Sequence, residues 1–216
     1  MIKSPVHKLN RSLKKLLDCA IYPQPTKCST FSPDHSRKLL RQTLFAVKTC
    51  QLFHNSRLQI VRDTWGRVAE NIIYVSDVEN SELQTVVLSG AEENTSRGHC
   101  RKSQSILKHF RANYKEKGWK WLVVADDDTM LSVSKLTDLL ACYDPDEKVA
   151  LGERYGHKVS GIRGRLGFDY LAGGAGMVFS YSTVINTCIK SLFVDTVFNV
   201  RFTPFCAKLF LIIITE

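Results

Sequence analysis

The hydrophobic pattern divides the chain into short apolar runs and amphipathic segments from residue 44 onward. Five of the runs have the length and character of buried β-strands. They are LFAVKT (44–49), NIIYVS (71–76), LQTVVLS (83–89), WKWLVVA (119–125) and VALGE (149–153). After the first run, Leu58, Val61 and Trp65 recur at helical spacing, so a helix can cover the first strand. Strands that alternate with amphipathic helices predict an α/β sheet.

Further helices are predicted along the chain. The polar segment AEENTSRGHC (91–100) is expected to be a loop that leads into a helix with Leu107 and Phe110 on one face. Ser132 is expected to N-cap the next helix, because a serine hydroxyl can accept a bond from a free amide of the first turn. Another helix is expected from Tyr181.

The net charge of +9 is concentrated at the N-terminus. Residues 1–43 hold nine Lys or Arg against two Asp, whereas residues 44–216 hold 21 basic and 19 acidic side chains. Because the larger part is nearly neutral, we expect no nucleic-acid partner. We interpret residues 1–43 as a basic linker or the remnant of an upstream region. The alternative is a basic module that binds polyanions through this segment.

Cysteine spacing and hydropathy say little about the compartment. The seven cysteines include no CxxC pair, so a thiolate zinc site is not expected, and both reduced cysteines and disulfides stay open. The sequence shows no signal peptide and no apolar stretch of the ~18 to 20 residues that span a membrane. Any membrane association is therefore expected only through parts not present in this chain.

The strongest chemical signal is the triplet Asp126, Asp127 and Asp128, directly after the apolar run 119–125. Adjacent carboxylates repel one another, and a cation relieves that repulsion. Ligands of α/β sheets bind beyond the carboxyl ends of the strands, and oxygen ligands suit Mg²⁺ or Mn²⁺ with nucleotide phosphates. The alternative is that the aspartates only favour the N-terminus of the helix near Ser132. Three aspartates exceed what capping requires, so a metal or phosphate site is predicted.

A second signal is the run Gly173, Gly174, Ala175 and Gly176. Glycine permits positive φ angles and a close approach of the backbone to a ligand. The run is equally compatible with a tight turn between a strand and a helix. Since one predicted strand separates it from the aspartates, both can reach the same edge of the sheet, where the run is expected to form a pocket loop.

Five segments together carry a resemblance to a known family. They are VKTCQLFHNSRLQIVRDTW (47–65), NTSRGHC (94–100), WLVVADDDTMLSVSKLTDLLACYD (121–144), LGERYG (151–156) and GGAGMVFS (173–180). In this order they resemble the fringe-like β-1,3-glycosyltransferases. Within that family, NTSRGHC, CYD and LGERYG are most similar to the members that add glucose to O-linked fucose on thrombospondin type 1 repeats.

The resemblance implies a GT-A type nucleotide-binding sheet with flanking helices, here within residues 44–190. It also implies an inverting, Mn²⁺-dependent transfer of glucose from the UDP-sugar donor UDP-glucose to an O-fucosylated protein acceptor. The expected compartment is the lumen of the secretory pathway, in the endoplasmic reticulum rather than the Golgi.

The resemblance also implies roles for individual residues. Asp128 matches the family's metal ligand, and Asp127 and Arg57 match donor contacts. Thr49, Asp77 and Asp126 are expected as further donor contacts. Arg57 is otherwise a solvated helix residue, and Asp77 a turn residue.

Two family elements have no match in this chain. Family members continue after the glycine run and its helix with an Asp-Asp-Met-like segment that holds the catalytic base, and then a His that completes the metal site. The unmatched residues 191–216 contain neither, and Asp195 and His157 lie in different surroundings. We therefore predict a C-terminally incomplete domain and assign no catalytic residue. The alternative is an inactive relative that binds the donor.

Overall fold

A mixed β-sheet lies at the centre of the structure, a computed structural model that describes residues 33–92, 94–157, 168–186 and 201–202. The strands are β1 (Thr43–Lys48), β2 (Ile72–Val75), β3 (Thr85–Val86), β4 (Trp121–Asp126), β5 (Val149–Gly152), β6 (Arg154–His157), β7 (Phe168–Leu171), β8 (Met177–Ser180) and β9 (Arg201–Phe202). The sheet order is β3-β2-β1-β4-β8-β5, with the two-residue β9 beside β5, and β6 and β7 form a separate antiparallel ribbon. Neighbouring strands of the sheet are parallel except where β8 pairs with β4 and β5.

Helices pack on both faces of this sheet. They are α1 (Pro33–Arg41), α2 (Arg57–Asp63), α3 (Ser96–Lys117), α4 (Val133–Leu140) and α5 (Tyr181–Asn186). Alternate residues of β1 point to opposite faces, as the period of two requires. Phe45 and Val47 join the core that holds Leu58 of α2, whereas Leu44 joins the core that holds Phe110 of α3. The predicted α/β fold class, a sheet with flanking helices, is confirmed.

Helix α1 lies inside the segment predicted as a basic linker. Its Leu39 is buried in the core on the α2 face, and the carbonyl oxygen of Leu39 accepts a hydrogen bond from the Thr43 hydroxyl at 2.7 Å. The helix is basic on its exposed side, with Lys38 and Arg41 in the last turn. Residues 33–41 of the segment interpreted as a basic linker therefore pack on the folded domain.

Two elements differ from the predicted boundaries. Helix α3 begins at Ser96, inside the predicted loop 91–100, because the Thr95 hydroxyl accepts a hydrogen bond from the Gly98 amide and caps the helix. The third strand is restricted to β3, because Leu83 and Gln84 belong to a turn. In that turn the Leu83 amide donates to the Asn80 side chain, and Gln84 has a φ of 58°.

The structure answers part of the cysteine question. Cys142 is disulfide-bonded, whereas Cys50 and Cys100 carry free thiols. In the described part of the chain, no helix is both long enough and apolar enough to cross a membrane.

Candidate functional site

The predicted site residues lie at one edge of the sheet because three strands end there in register. Lys48, the last residue of β1, pairs with Val75 at the end of β2 and with Asp126 at the end of β4. The segments that follow these strands therefore emerge side by side. Antiparallel β8 begins next to this edge, since Met177 pairs with Val124. This register brings the carboxylate turn (residues 126–128) and the glycine loop (residues 173–176) together.

Asp126 pairs with a lysine that the sequence analysis did not select. The Nζ of Lys48 lies 2.7 Å from Oδ1 of Asp126, as their opposed positions in the sheet allow. The lysine side chain is 8% exposed and the aspartate 26%. A lysine at the end of an otherwise apolar run was the available signal, because a buried ammonium group requires a partner.

Asp127 is the buried carboxylate of the turn. Its Oδ2 accepts a hydrogen bond of 2.7 Å from the Thr49 hydroxyl, and its Oδ1 lies 3.7 Å from a guanidinium nitrogen of Arg57. Burial raises the pKa of Asp127, and the neighbouring Asp128 and Asp126 raise it further against the hydrogen bond from Thr49. The carboxylate is thus poorly compensated where it lies. Thr49 reaches this site through Asp127.

Asp128 is the most exposed carboxylate of the turn, with 53% of its side chain accessible. Arg57, the first residue of α2, donates from a guanidinium nitrogen to its Oδ2 at 3.0 Å. The same guanidinium lies over the Phe53 ring, 4.1 Å from its centre. Arg57 is therefore oriented toward the site and is not a freely solvated helix residue.

Lys102 supplies a further cation that the sequence analysis missed. It lies on α3, and its buried Nζ donates to the carbonyl oxygen of Thr49 at 2.7 Å. Burial lowers the pKa of Lys102, while Asp77 and Asp127 oppose that shift. The signal in the sequence was weak, since the residue lies in a polar segment and reaches the edge only through the fold.

Asp77 is placed beside the site and not on its inner surface. Its Oδ1 accepts hydrogen bonds from the Gln51 amide at 2.9 Å and from the Ser76 hydroxyl at 3.0 Å. Burial favours the neutral acid, but these hydrogen bonds outweigh it and lower the pKa of Asp77. The side chain therefore holds the β1 and β2 ends together, and its expected donor contact stays a prediction.

A cavity of about 120 Å³ opens between the carboxylate turn, α2 and the start of α3. Its described lining combines three Lys or Arg side chains with three carboxylates, one phenyl ring and one imidazole ring. The lining residues are Lys48, Thr49, Cys50, Phe53, Arg57, Asn94, His99, Lys102, Asp126, Asp127 and Asp128. The structure thus brings Thr49, Arg57 and the aspartate triplet together at one cavity, and their roles in binding a donor or a metal ion stay predictions.

The glycine loop contacts the carboxylate turn but does not line this cavity. A Cβ at Gly174 would lie 3.9 Å from Oδ2 of Asp126, and one at Gly173 would lie 3.9 Å from Nζ of Lys48. Residues Gly173–Ala175 form a short 3₁₀ turn, and Gly176 has a φ of 87°. The predicted pocket loop therefore packs on the Lys48–Asp126 pair, and its contact with a ligand stays a prediction.

Alanine substitutions distinguish two roles within this loop. Gly176→Ala is expected to cost about 1–3 kcal/mol of unfolding free energy, because its φ of 87° strains an L-residue. Gly173→Ala is the matched control, since its Cβ meets only an ordinary contact at 3.9 Å, and we expect a change below about 0.5 kcal/mol. Urea unfolding of both variants measures the difference, and equal losses would show that the φ angle is not the constraint.

The carboxylates of the turn have the ligand chemistry that a hard divalent cation prefers. The described residues contain no cluster of three or more His, Cys, Asp or Glu side chains arranged around an ion position. The exposed Asp128 and the neighbouring Asp126 nevertheless offer oxygen atoms at the cavity. One or two carboxylates completed by substrate phosphates is the usual arrangement for Mg²⁺, and carboxylates also suit Mn²⁺.

Comparison with known proteins assigns the family. A family model described as fringe-like matches residues 39–209. The chain belongs to the fringe-like family. This family assignment confirms the resemblance that the five segments indicated.

The relatives of this chain are glycosyltransferases. It is 43% identical to a human protein named beta-1,3-glucosyltransferase over 160 residues. The aligned part covers 74% of this chain and 31% of the relative. The mouse protein of the same name is 44% identical over 68% of this chain and 28% of the relative. A chicken beta-1,3-N-acetylglucosaminyltransferase, lunatic fringe, is 30% identical over 52% of this chain and 32% of its own length. This chain therefore spans less than a third of these relatives.

Proposed function

We propose that this chain carries the donor-binding part of a β-1,3-glycosyltransferase. The main support is the cavity at the ends of β1 and β4, where the aspartate triplet lies beside Arg57, Lys48 and Lys102. The second support is that the chain belongs to the fringe-like family. Its finer assignment is an inverting transfer of glucose from UDP-glucose to O-linked fucose on a protein, such as a thrombospondin type 1 repeat. The identity of about 43% to a beta-1,3-glucosyltransferase, against 30% to lunatic fringe, supports glucose as the transferred sugar.

Asp128, with Asp126 beside it, would hold Mn²⁺ at the cavity. A bound divalent cation supplies charge neutralisation for the diphosphate that leaves when the glycosidic bond forms. Asp128 suits this role better than Asp127, because Asp128 is exposed and Asp127 is buried against Thr49. When a cation is bound, Arg57 can exchange its contact with Asp128 for a phosphate oxygen, since a guanidinium group binds both carboxylate and phosphate.

The rest of the cavity favours an anionic ligand beside the aspartates. Lys102 and Arg57 present positive charge, and Asn94 and His99 place the first turn of α3 at the cavity wall. Helix N-termini favour anions, because their free amides and the helix dipole both point toward the ligand. The α3 helix is 22 residues long, so its dipole is fully developed at this end.

The acceptor and the compartment follow from the same proposal. If the acceptor is fucose linked to a protein, the chain is expected to act in the lumen of the secretory pathway, and we propose the endoplasmic reticulum as its location. The disulfide at Cys142 supports an oxidising compartment. No catalytic base is assigned, because residues 191–216 lack the family's base segment and the three aspartates at the cavity contact Lys48, Thr49 and Arg57. Asp195 lies outside the described residues.

The test of this proposal is UDP binding measured by calorimetry with and without Mn²⁺. Wild-type protein is expected to bind UDP only with Mn²⁺, and Asp128→Ala is expected to weaken binding by roughly 10- to 100-fold through the lost metal ligand. Asp138→Ala, an exposed aspartate on α4, is the control and is expected to bind as the wild type does. UDP binding that is indifferent to both Mn²⁺ and Asp128 would refute the metal assignment.

Transfer assays distinguish the enzyme from an inactive relative. With Mn²⁺ and a fucosylated thrombospondin repeat, the proposal expects transfer from UDP-glucose in preference to UDP-N-acetylglucosamine. Mn²⁺-dependent UDP binding without transfer from either donor would instead identify a chain that binds the donor without catalysis.

A further inference from the structure

Thr129 connects the two loops of the candidate site through one hydroxyl group. Its side chain is buried directly after the carboxylate turn. The hydroxyl oxygen accepts a hydrogen bond of 3.1 Å from the Asp126 amide and donates one of 2.9 Å to the carbonyl oxygen of Gly174. The donor and the acceptor of this single group are therefore used on two different segments, the carboxylate turn and the glycine loop.

The backbone of Thr129 extends the connection to the element that carries Arg57. Its carbonyl oxygen accepts a hydrogen bond of 2.9 Å from the indole nitrogen of Trp65, and its amide donates to the Asp126 carbonyl at 3.1 Å. Trp65 lies in the short helical turn after α2, and α2 begins with Arg57. Thr129 thus contacts the carboxylate turn, the glycine loop and the helical turn that follows α2.

We propose that Thr129 is a positioning residue, which holds the carboxylate turn against the glycine loop in the arrangement that binds the donor and its cation. The inference rests on the proposed donor site. Thr129 does not line the cavity, so it acts through Asp126 and Asp128 and not by touching the ligand. Groups that orient metal-binding carboxylates in this way commonly change affinity when they are removed.

The geometry explains why the hydroxyl group matters. Without it, the partly buried Asp126 amide and Gly174 carbonyl lose their partner, and each must find water or shift. The glycine loop lies close to the Asp126 carboxylate, since a Cβ at Gly174 would be only 3.9 Å from Oδ2 of Asp126. A shift of the loop would therefore change the surroundings of that carboxylate. The carboxylate turn would then present its oxygen atoms in altered directions.

The experiment compares Thr129→Val, Thr129→Ser and Thr137→Val. Valine keeps the shape of threonine but lacks the hydroxyl, and serine keeps the hydroxyl. Thr137 is the matched control because it is also buried, and its hydroxyl donates to Val133 at 2.8 Å within α4, away from the cavity. UDP affinity with Mn²⁺, the Mn²⁺ concentration for half-maximal binding, and amide hydrogen exchange at Asp126 are measured for each.

We expect Thr129→Val to weaken UDP binding roughly 10-fold or more, to raise the Mn²⁺ requirement and to accelerate exchange of the Asp126 amide. Thr129→Ser is expected to bind as the wild type does, and Thr137→Val to lose stability without losing affinity. A merely structural role would lower stability in both valine variants and leave the Mn²⁺ requirement unchanged. If Thr129→Val does not fold, Thr129→Ala, which leaves room for a water molecule, is measured in its place.

The outcomes separate this inference from the proposed function. If the wild type binds UDP with Mn²⁺ and the hydroxyl-free variants bind equally well, the role of Thr129 is refuted and the donor site stands. If the wild type does not bind UDP at all, the donor site is refuted and the positioning role with it, whatever the exchange rate at Asp126.

Discussion

Asp127→Asn is expected to weaken UDP binding and, at the same time, to raise the unfolding free energy of the ligand-free protein. The carboxylate is buried, lies between two other carboxylates, and is 3.7 Å from its nearest guanidinium nitrogen. Its pKa is raised chiefly by burial, so at neutral pH the charged form costs free energy in the folded state. Asparagine keeps an oxygen acceptor for the Thr49 hydroxyl and removes that cost.

The two effects have different sizes and opposite signs. Loss of a charged hydrogen-bonding group from the proposed donor site should reduce UDP affinity roughly 10- to 100-fold, from about 1.5–3 kcal/mol per charged hydrogen bond. Relief of the buried charge should stabilise the protein by about 0.5–2 kcal/mol, the usual gain at a site where function opposes stability. Arg57 keeps its 3.0 Å contact with Asp128 in the variant, so the second effect is not cancelled.

Calorimetry of UDP binding and urea unfolding without metal measure these effects separately. Asp138→Asn on the exposed face of α4 is the control, and its unfolding free energy should change by less than about 0.5 kcal/mol. A destabilised Asp127→Asn variant would show that the carboxylate is better compensated than its contacts indicate. Unchanged UDP affinity would remove Asp127 from the donor site.

Two of the residues selected from the sequence and found at this cavity, Asp126 and Thr49, lie where a strand ends. Asp126 and Thr49 follow apolar runs that are recognisable by eye, and parallel strands bring such positions to the same edge. Arg57 required the family resemblance, because nothing in its helical surroundings distinguishes it from a solvated residue. The general place of the site was therefore available from periodicity, and the identity of its ligand was not.

The residues that were missed depend on register and on long-range packing. Lys48 became a partner of Asp126 only once β1 and β4 were paired in a given register, since a slip by one residue would point it to the other face. Lys102 reaches Thr49 across 53 positions of sequence, from a helix whose first turn was predicted as a loop. Local patterns indicate at most that a lysine such as Lys48 needs a partner, and they do not identify the partner of either lysine.

The contacts of Thr129, an uncharged residue, also could not be predicted from local sequence. In the sequence it is the residue after three aspartates, and its type alone is compatible with a helix cap or an exposed turn. Only the antiparallel pairing of β8 with β4 places Gly174 within reach of its hydroxyl. The spacing of the sequence therefore did not predict that the glycine loop is hydrogen-bonded to Thr129.

Lys48→Met is expected to destabilise the ligand-free protein strongly. The substitution removes the only cation 2.7 Å from Asp126 Oδ1 in the described structure and leaves that carboxylate beside Asp127 and Asp128. Breaking a fully buried ion pair costs about 3–5 kcal/mol. Because Asp126 is 26% exposed, water compensates part of the loss, and we expect roughly 2 kcal/mol in urea unfolding.

Two comparisons isolate the cause of that loss. Arg41→Met breaks an exposed pair with Glu70, whose side chains are 68% and 40% accessible, and should cost less than about 1 kcal/mol. The double variant Lys48→Met/Asp126→Asn removes both charges and should recover most of the stability, because the uncompensated carboxylate is gone. If the double variant is no more stable than Lys48→Met, the loss comes from packing of the lysine stem and not from the charge of Asp126.

A divalent cation should partly replace the missing lysine. Removal of Lys48 increases the net negative charge of the carboxylate turn, so a cation gains more by binding there. Mn²⁺ is therefore expected to raise the melting temperature of Lys48→Met by more than that of the wild type, and to lose this effect in the double variant. Equal Mn²⁺ shifts in all three proteins would place the cation away from Asp126 and leave Asp128 as the carboxylate that holds it.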